Sequence, residues 1–187
     1  TLPYELCYTN ILTVLDLAGL PLRSADRDAS HPLILGGGSC AHNPEPVADF
    51  FDAIVLGDGE EIILEIAGAL LAAKDQGLPR AHVLEQLAAI QGVYVFWLFQ
   101  PRYEHDRLLE IVPLHHEYTA VRKRVLPGLA GIAHLQRPLV PVVKPVHDRL
   151  GIEIARGCTR GCRFCQAGIT YRPVRERSLA EIMELAT

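Results

Sequence analysis

Two apolar runs that end in glycine constrain the fold of this chain more than any other feature. In PLILGGGSC, Leu33, Ile34 and Leu35 run straight into Gly36, Gly37 and Gly38; in DAIVLGDGEE, Ile54, Val55 and Leu56 run into Gly57 and Gly59. Neither run alternates polar with apolar residues, so each reads as a strand buried on both faces, the habit of parallel sheets. Helical patterns flank them. YTNILTVLDLAGLPL has Thr9 as an N-cap, a stripe of Ile11, Leu12, Leu15 and Ala18, and a stop at Gly19 and Pro21. EEIILEIAGALLAAKDQG is predicted to bury Ile62, Ile63, Ile66, Leu70 and Leu71 and to end at Gly77 and Pro79, with Glu60 and Glu61 at the positive end of its dipole. A shorter helix, HVLEQLAAI, follows. NPEPVADFF between the two runs reads as a turn with at most one helical turn. Strands alternating with helices predict an α/β layer with a parallel sheet.

Beyond residue 92 the texture changes. VYVFWLF and RLLEIVPL flank the polar stretch QPRYEHD and predict an antiparallel hairpin, with the aromatic cluster as its core. Residues 117–147 carry Pro127, Pro138, Pro141 and Pro145 and read as an extended linker. DRLGIEIARG predicts a third strand of parallel type, with Leu150, Ile152 and Ile154 on one face and Glu153 on the other. Ser178 and Glu181 form an S-x-x-E capping box that opens a last helix. Three parts are therefore expected: an α/β domain over 1–92, a hairpin and linker over 93–147, and a further βα unit from 148 to 187.

The chain has 187 residues and a formal net charge of −4, which does not favour a general grip on nucleic acid. No apolar run approaches the ~20 residues of a membrane-spanning helix. Five cysteines, three of them in one loop, fit metal chemistry in a reducing cytoplasm better than a secreted disulfide framework. The chain opens without methionine just before one helical pattern and stops inside another, so it reads as a fragment of a longer protein.

RGCTRGCRFCQAG places Cys158, Cys162 and Cys165 in a C-x3-C-x2-C spacing. Thiolates are soft ligands that suit zinc or iron–sulfur centres. Structural zinc sites close with four protein ligands, and here there is neither a second C-x2-C pair nor an H-x3-H. Three cysteines can hold three corners of a 4Fe–4S cubane and leave one iron open. The alternatives are a zinc loop, or a cluster completed by Cys7 or Cys40. Gly157 and Gly161 would let the backbone wrap the metal, and Arg156 with Glu153 reads either as a polar site or as a strand-end ion pair.

With Phe164 just before the last cysteine, this loop resembles the signature of the radical S-adenosylmethionine (radical SAM) superfamily. The resemblance implies a 4Fe–4S cluster on Cys158, Cys162 and Cys165, with S-adenosylmethionine on the open iron. It also implies reductive cleavage to methionine and a 5′-deoxyadenosyl radical, and an electron donor such as flavodoxin or ferredoxin. Phe164 would shield the cluster or contact adenine. The family fold is a full or partial (β/α) barrel with the cluster loop after its first strand, which GIEIARG would be. The first 75 residues resemble the C-terminal half of the Rossmann-like, cobalamin-binding-type domain that precedes many such barrels. The matching features are Gly36–Gly37, Pro44–Pro46 and the Gly57–Glu60 loop, so Gly36, Gly37, Gly57 and Gly59 become candidate cofactor-binding residues and cobalamin a further cofactor. The histidine loop that ligates cobalt would lie upstream of Thr1. The same glycines, and an Asp58-x-x-Glu61 capping box, are also explained by structure alone. The substrate is not readable.

Two other features have plain readings. His115–His116 reads as solvated surface, and Val121-Arg-Lys-Arg124 as a solvated or interdomain run. A non-catalytic module, with structural zinc or iron–sulfur and an α/β docking domain, is the reading from a different class.

Overall fold

The computed structural model describes residues 1–132, 142–144, 146 and 149–186. The chain divides into two compact units, Thr1–Val125 and Leu126–Thr187. Part of the expected proline-rich linker, with Pro138, Pro141 and Pro145, lies outside the described residues. Residues 117–125 belong to the first unit, where Tyr118 and Val121 pack on its core.

In the first unit the glycine-ended runs do form a parallel pair. β1 (Leu35–Gly37) lies beside β2 (Ala53–Val55), with Leu35 opposite Ala53 and Gly37 opposite Val55. Two 3-10 turns, Ser39–His42 and Glu45–Phe50, make the crossover between them. α1 (Tyr8–Leu17) precedes the sheet; it starts one residue before the expected Thr9 cap, continuing a 3-10 turn at Glu5–Cys7, and has no side-chain cap. Its end is as expected: Gly19 adopts φ +66° and Leu20 N–H donates to Leu15 O at 3.0 Å, closing the helix in a Schellman motif.

α2 (Ile62–Asp75) and α3 (Arg80–Ala88) follow β2. A second helix after so short a connection turns the chain round once more, so β3 (Val93–Tyr94) enters the sheet antiparallel to β2, in the order β1-β2-β3. Part of VYVFWLF is thus a sheet strand and not a hairpin arm. The buried face of α2 is also narrower than expected. Ile62, Ile66 and Ala73 are buried, whereas Ile63 and Leu71 are exposed, because a single small sheet covers only one stripe of the helix. The Asp58–Glu61 capping box does not form; α2 starts at Ile62 without a side-chain cap, and Asp58 N–H donates to Arg124 O at 3.0 Å.

The hairpin consists of β4 (Phe99–Glu104) and β5 (Arg107–Pro113), with a bulge at Arg102/Tyr103. Its turn is only His105–Asp106, both at positive φ, so the stretch read as a polar turn is mostly strand. Ile54, Ile62, Ile66, Leu87, Val93 and Val95 are each at most 1% exposed and centre the core. Burying one such side chain contributes roughly 1.5–3 kcal/mol.

A polar staple that sequence patterns gave no hint of fastens the loop before β1. Asp52 is buried; its carboxylate accepts from Ile34 N–H at 2.6 Å and lies 2.8 Å from Arg80 Nη2 and 3.5 Å from Arg27 Nε. The two guanidinium groups donate onward to the carbonyls of Pro21, Phe50, His31 and Pro32.

In the second unit, β6 (Ala155–Arg156) pairs antiparallel with β7 (Arg175–Glu176), so the third strand is neither as long as expected nor parallel. The loop returns at once and brings β7 within hydrogen-bonding reach of β6. Leu150 and Ile154 stay exposed. The loop also holds α4 (Ala167–Thr170), and α5 (Leu179–Ala186) follows β7. The predicted capping box opens α5: Glu181 N–H donates to Ser178 Oγ at 3.3 Å and Ser178 N–H to Glu181 Oε2 at 3.0 Å. Among the described residues no helix is long and apolar enough to cross a membrane.

Candidate functional site

The cysteine loop begins at the end of β6. Gly157 sits there at φ +93°, and a Cβ at this position would come within 2.5 Å of Tyr171 O and 3.0 Å of Pro173 O. The two ends of the loop therefore touch backbone to backbone, and only glycine fits. Two buried arginines hold this junction. Arg175 donates to the carbonyls of Tyr171 and Pro173 at 3.3 and 3.1 Å and to Leu126 O at 3.1 Å. Arg177 donates to Glu153 O at 3.0 Å and Leu129 O at 2.9 Å. Sequence reasoning passed over both. The available signal was their spacing of two, which puts both side chains on one face of a strand.

All three loop cysteines are free thiols. Cys158 is half-buried, while Cys162 and Cys165 are exposed. Cys165 N–H donates to Cys162 O at 3.1 Å, and Arg160 N–H donates to Cys158 Sγ at 3.4 Å. The thiols share one loop but are not gathered: among the described residues no three histidine, cysteine or acidic side chains form a metal-holding group. Phe164 is 92% exposed, so it neither shields the loop nor packs against it. Glu153 and Arg156 form the strand-end ion pair, bidentate at 2.8 and 3.0 Å.

The donor set itself fits an iron–sulfur cluster. It is three soft thiols, with no carboxylate or imidazole among them, carried on backbone that is fixed at its base. Of the other two cysteines, Cys40 is buried in the first unit, with its Sγ 3.6 Å from Pro3 O.

The first unit carries a separate cleft of about 480 Å³ at the glycine ends of β1 and β2. Gly36, Gly37, Gly57 and Gly59, the four candidates, all line it, together with the α2 side chains Ile62 and Ile63. The carboxyl ends of parallel strands are where open α/β sheets bind ligands. Two of the glycines also have reasons internal to the fold. A Cβ on Gly36 would press on Phe51 and Ile54 at 3.1–3.2 Å. Gly57, at φ +105°, accommodates the backbone of Arg124, whose carbonyl a Cβ would approach to 2.0 Å. Arg124, from the basic run, is fixed by Glu61 at 3.0 Å and by Glu65. No lining residue carries an imidazole, thiol or carboxylate. The cleft thus suits an apolar or backbone-bound group, and its lining offers cobalt no ligand. His116 is solvated beside Glu117.

Comparison with known proteins bears on both halves of the chain. An uncharacterized protein of Methanocaldococcus jannaschii is 27% identical over 192 residues, an alignment covering 100% of this chain and 33% of the relative. The chain thus spans about a third of the length of that relative. No solved structure matches. The family described as "Radical SAM proteins, N-terminal" matches residues 1–95, the stretch that holds β1, β2 and the glycine cleft. With half of its length matched, the chain belongs to the radical SAM proteins.

Proposed function

We propose that the protein of which this chain is part is a radical SAM enzyme whose cluster is held by Cys158, Cys162 and Cys165. The observation that carries the reading is the cysteine loop itself: three free thiols between ends pinned together at Gly157, in a chain of this family. A 4Fe–4S cluster held by these cysteines would supply the electron for reductive cleavage of S-adenosylmethionine to methionine and a 5′-deoxyadenosyl radical. The chain's own residues bind and orient. The cysteines supply three ligands, Arg160 N–H directs a donor to the Cys158 sulfur, and Arg175 and Arg177 hold the loop's base. Phe164, exposed on the loop, is available to contact adenine. The electron would come from a small donor protein of the flavodoxin or ferredoxin kind, in the cytoplasm. On this reading the second unit contributes the opening of a partial barrel and the first a Rossmann-like layer. No step is assigned to cobalamin.

Anaerobic reconstitution of the full-length protein with iron and sulfide tests the proposal. A 4Fe–4S absorption and paramagnetic spectrum is expected, with dithionite-dependent formation of 5′-deoxyadenosine. Alanine at any one of the three cysteines should remove the cluster. Tight zinc without cleavage would instead support a structural module and overturn the reading, and a full cluster in any single-cysteine variant would overturn the ligand assignment.

A further inference from the structure

The aromatic cluster around YVFWLF does more than fill the core. Phe50, Phe96, Trp97, Phe99 and Tyr103 line a pocket of about 310 Å³ in the first unit. Trp97 is the chain's single tryptophan. Only Phe99 is buried; Phe50, Phe96 and Trp97 are half-buried and Tyr103 is 60% exposed, so these rings border an opening. Phe50, Phe96 and Trp97 pack one side against the core and leave another facing the pocket. Here the lining also includes two carboxylates, Glu45 and Asp49.

The carboxylates differ in a way that matters. Asp49 is paired with Arg23 at 2.8 Å across an exposed contact, so its charge is largely shared. Glu45 is held by the hydroxyl of Tyr94, a neutral donor that fixes the carboxylate without cancelling its charge. No ion pair among the described residues involves Glu45. A fixed negative charge at an aromatic-lined opening is the chemistry that recognises organic cations: the negative faces of the rings and the carboxylate both attract the cation's charge. The volume, at the low end for ligand sites, limits the occupant to a small one.

We infer that this pocket binds a small organic cation of the alkylammonium class, independently of the cysteine loop. Trp97 makes the test direct, since its emission reports on this pocket alone. The 187-residue chain is titrated at constant ionic strength with choline and with its neutral isostere 3,3-dimethyl-1-butanol. Choline should change Trp97 emission saturably, and the isostere should bind at least about fivefold more weakly, as ~1 kcal/mol of cation–aromatic attraction requires. Glu45→Gln should weaken choline by a similar factor. Asp49→Lys, at an exposed position, puts an ammonium group at the mouth and should abolish the response. Equal binding of cation and isostere, no saturable response from chain shown to be folded by circular dichroism, or unchanged choline binding in folded Asp49→Lys would each overturn the inference.

Discussion

In the first unit the largest fully buried side chains are aliphatic, Ile54, Ile62, Ile66 and Leu87 among them. In the second, Leu126 and Leu129 are buried, and so are Arg175 and Arg177, which donate to the carbonyls of those two leucines; α5 buries none of its side chains. One unit is assembled by removing apolar surface from water, which is non-directional and tolerant of small shifts. The other adds to two buried leucines a pair of guanidinium groups aimed at particular carbonyls, which is directional and fails when geometry changes. The difference teaches where each unit's order originates. The first carries enough core to specify itself. The second has a well-fixed loop base and an arc of three thiols, one half-buried and two exposed, that the fold leaves ungathered.

Three substitutions probe this contrast, in decreasing order of effect. Asp52→Asn tests whether apolar burial alone holds the first unit. It leaves Arg27 and Arg80 facing each other in a largely buried site without a carboxylate, and should cost about 3–5 kcal/mol in denaturant unfolding of that unit. A loss under 1 kcal/mol would show the staple to be dispensable. Arg177→Met keeps the bulk of the side chain and removes its bonds to Glu153 O and Leu129 O. It should cost about 2 kcal/mol and speed proteolysis within the second unit, leaving the first unit's unfolding midpoint unmoved; a shift in that midpoint would erase the distinction drawn here.

The smallest effect is expected from Tyr118→Phe. The Tyr118 hydroxyl donates to Val93 O, so its loss should cost about 1 kcal/mol. Burial pushes the Tyr118 phenol up to about 12 from an ordinary 10, and burial together with Glu45 raises that of Tyr94 as well. A raised phenol contributes stability that is complete below pH 10 and is lost as pH rises through 10 towards 12. The first unit should therefore weaken over that window, and Tyr118→Phe should flatten the decline. An equally steep alkaline decline in the variant would place its origin elsewhere.

What sequence made legible was local. Apolar runs ending in glycine announced the parallel pair, Gly19 the end of α1, and Ser178 with Glu181 the start of α5, because each signal lies within a few residues of the structure it specifies. Missed features depended on distant partners. Asp52 meets Arg27 and Arg80 from far along the chain, and β3 runs antiparallel because of the two helices before it. Asp58 and Glu61 had the spacing of a capping box, but the approach of Arg124 to Gly57 fixed the backbone there another way. The candidate sites divide similarly. Three cysteines in one loop and glycines at two strand ends could be read off. The closure of that loop's base against Tyr171 and Pro173 could not, since Gly157 is small for a reason that lies well ahead of it in sequence.

That closure has a consequence for how the loop would meet its metal. With its neck pinned, the chain from Gly157 to Pro173 searches space as a short ring, and the entropy of bringing its ends together has already been spent in folding. Were one thiol to capture iron, the other two would be presented at an effective concentration on the order of millimolar, set by the few residues between the cysteines and not by the protein's concentration. The pinned neck would narrow the arc those thiols search, leaving less entropy to be lost at the second and third iron corners.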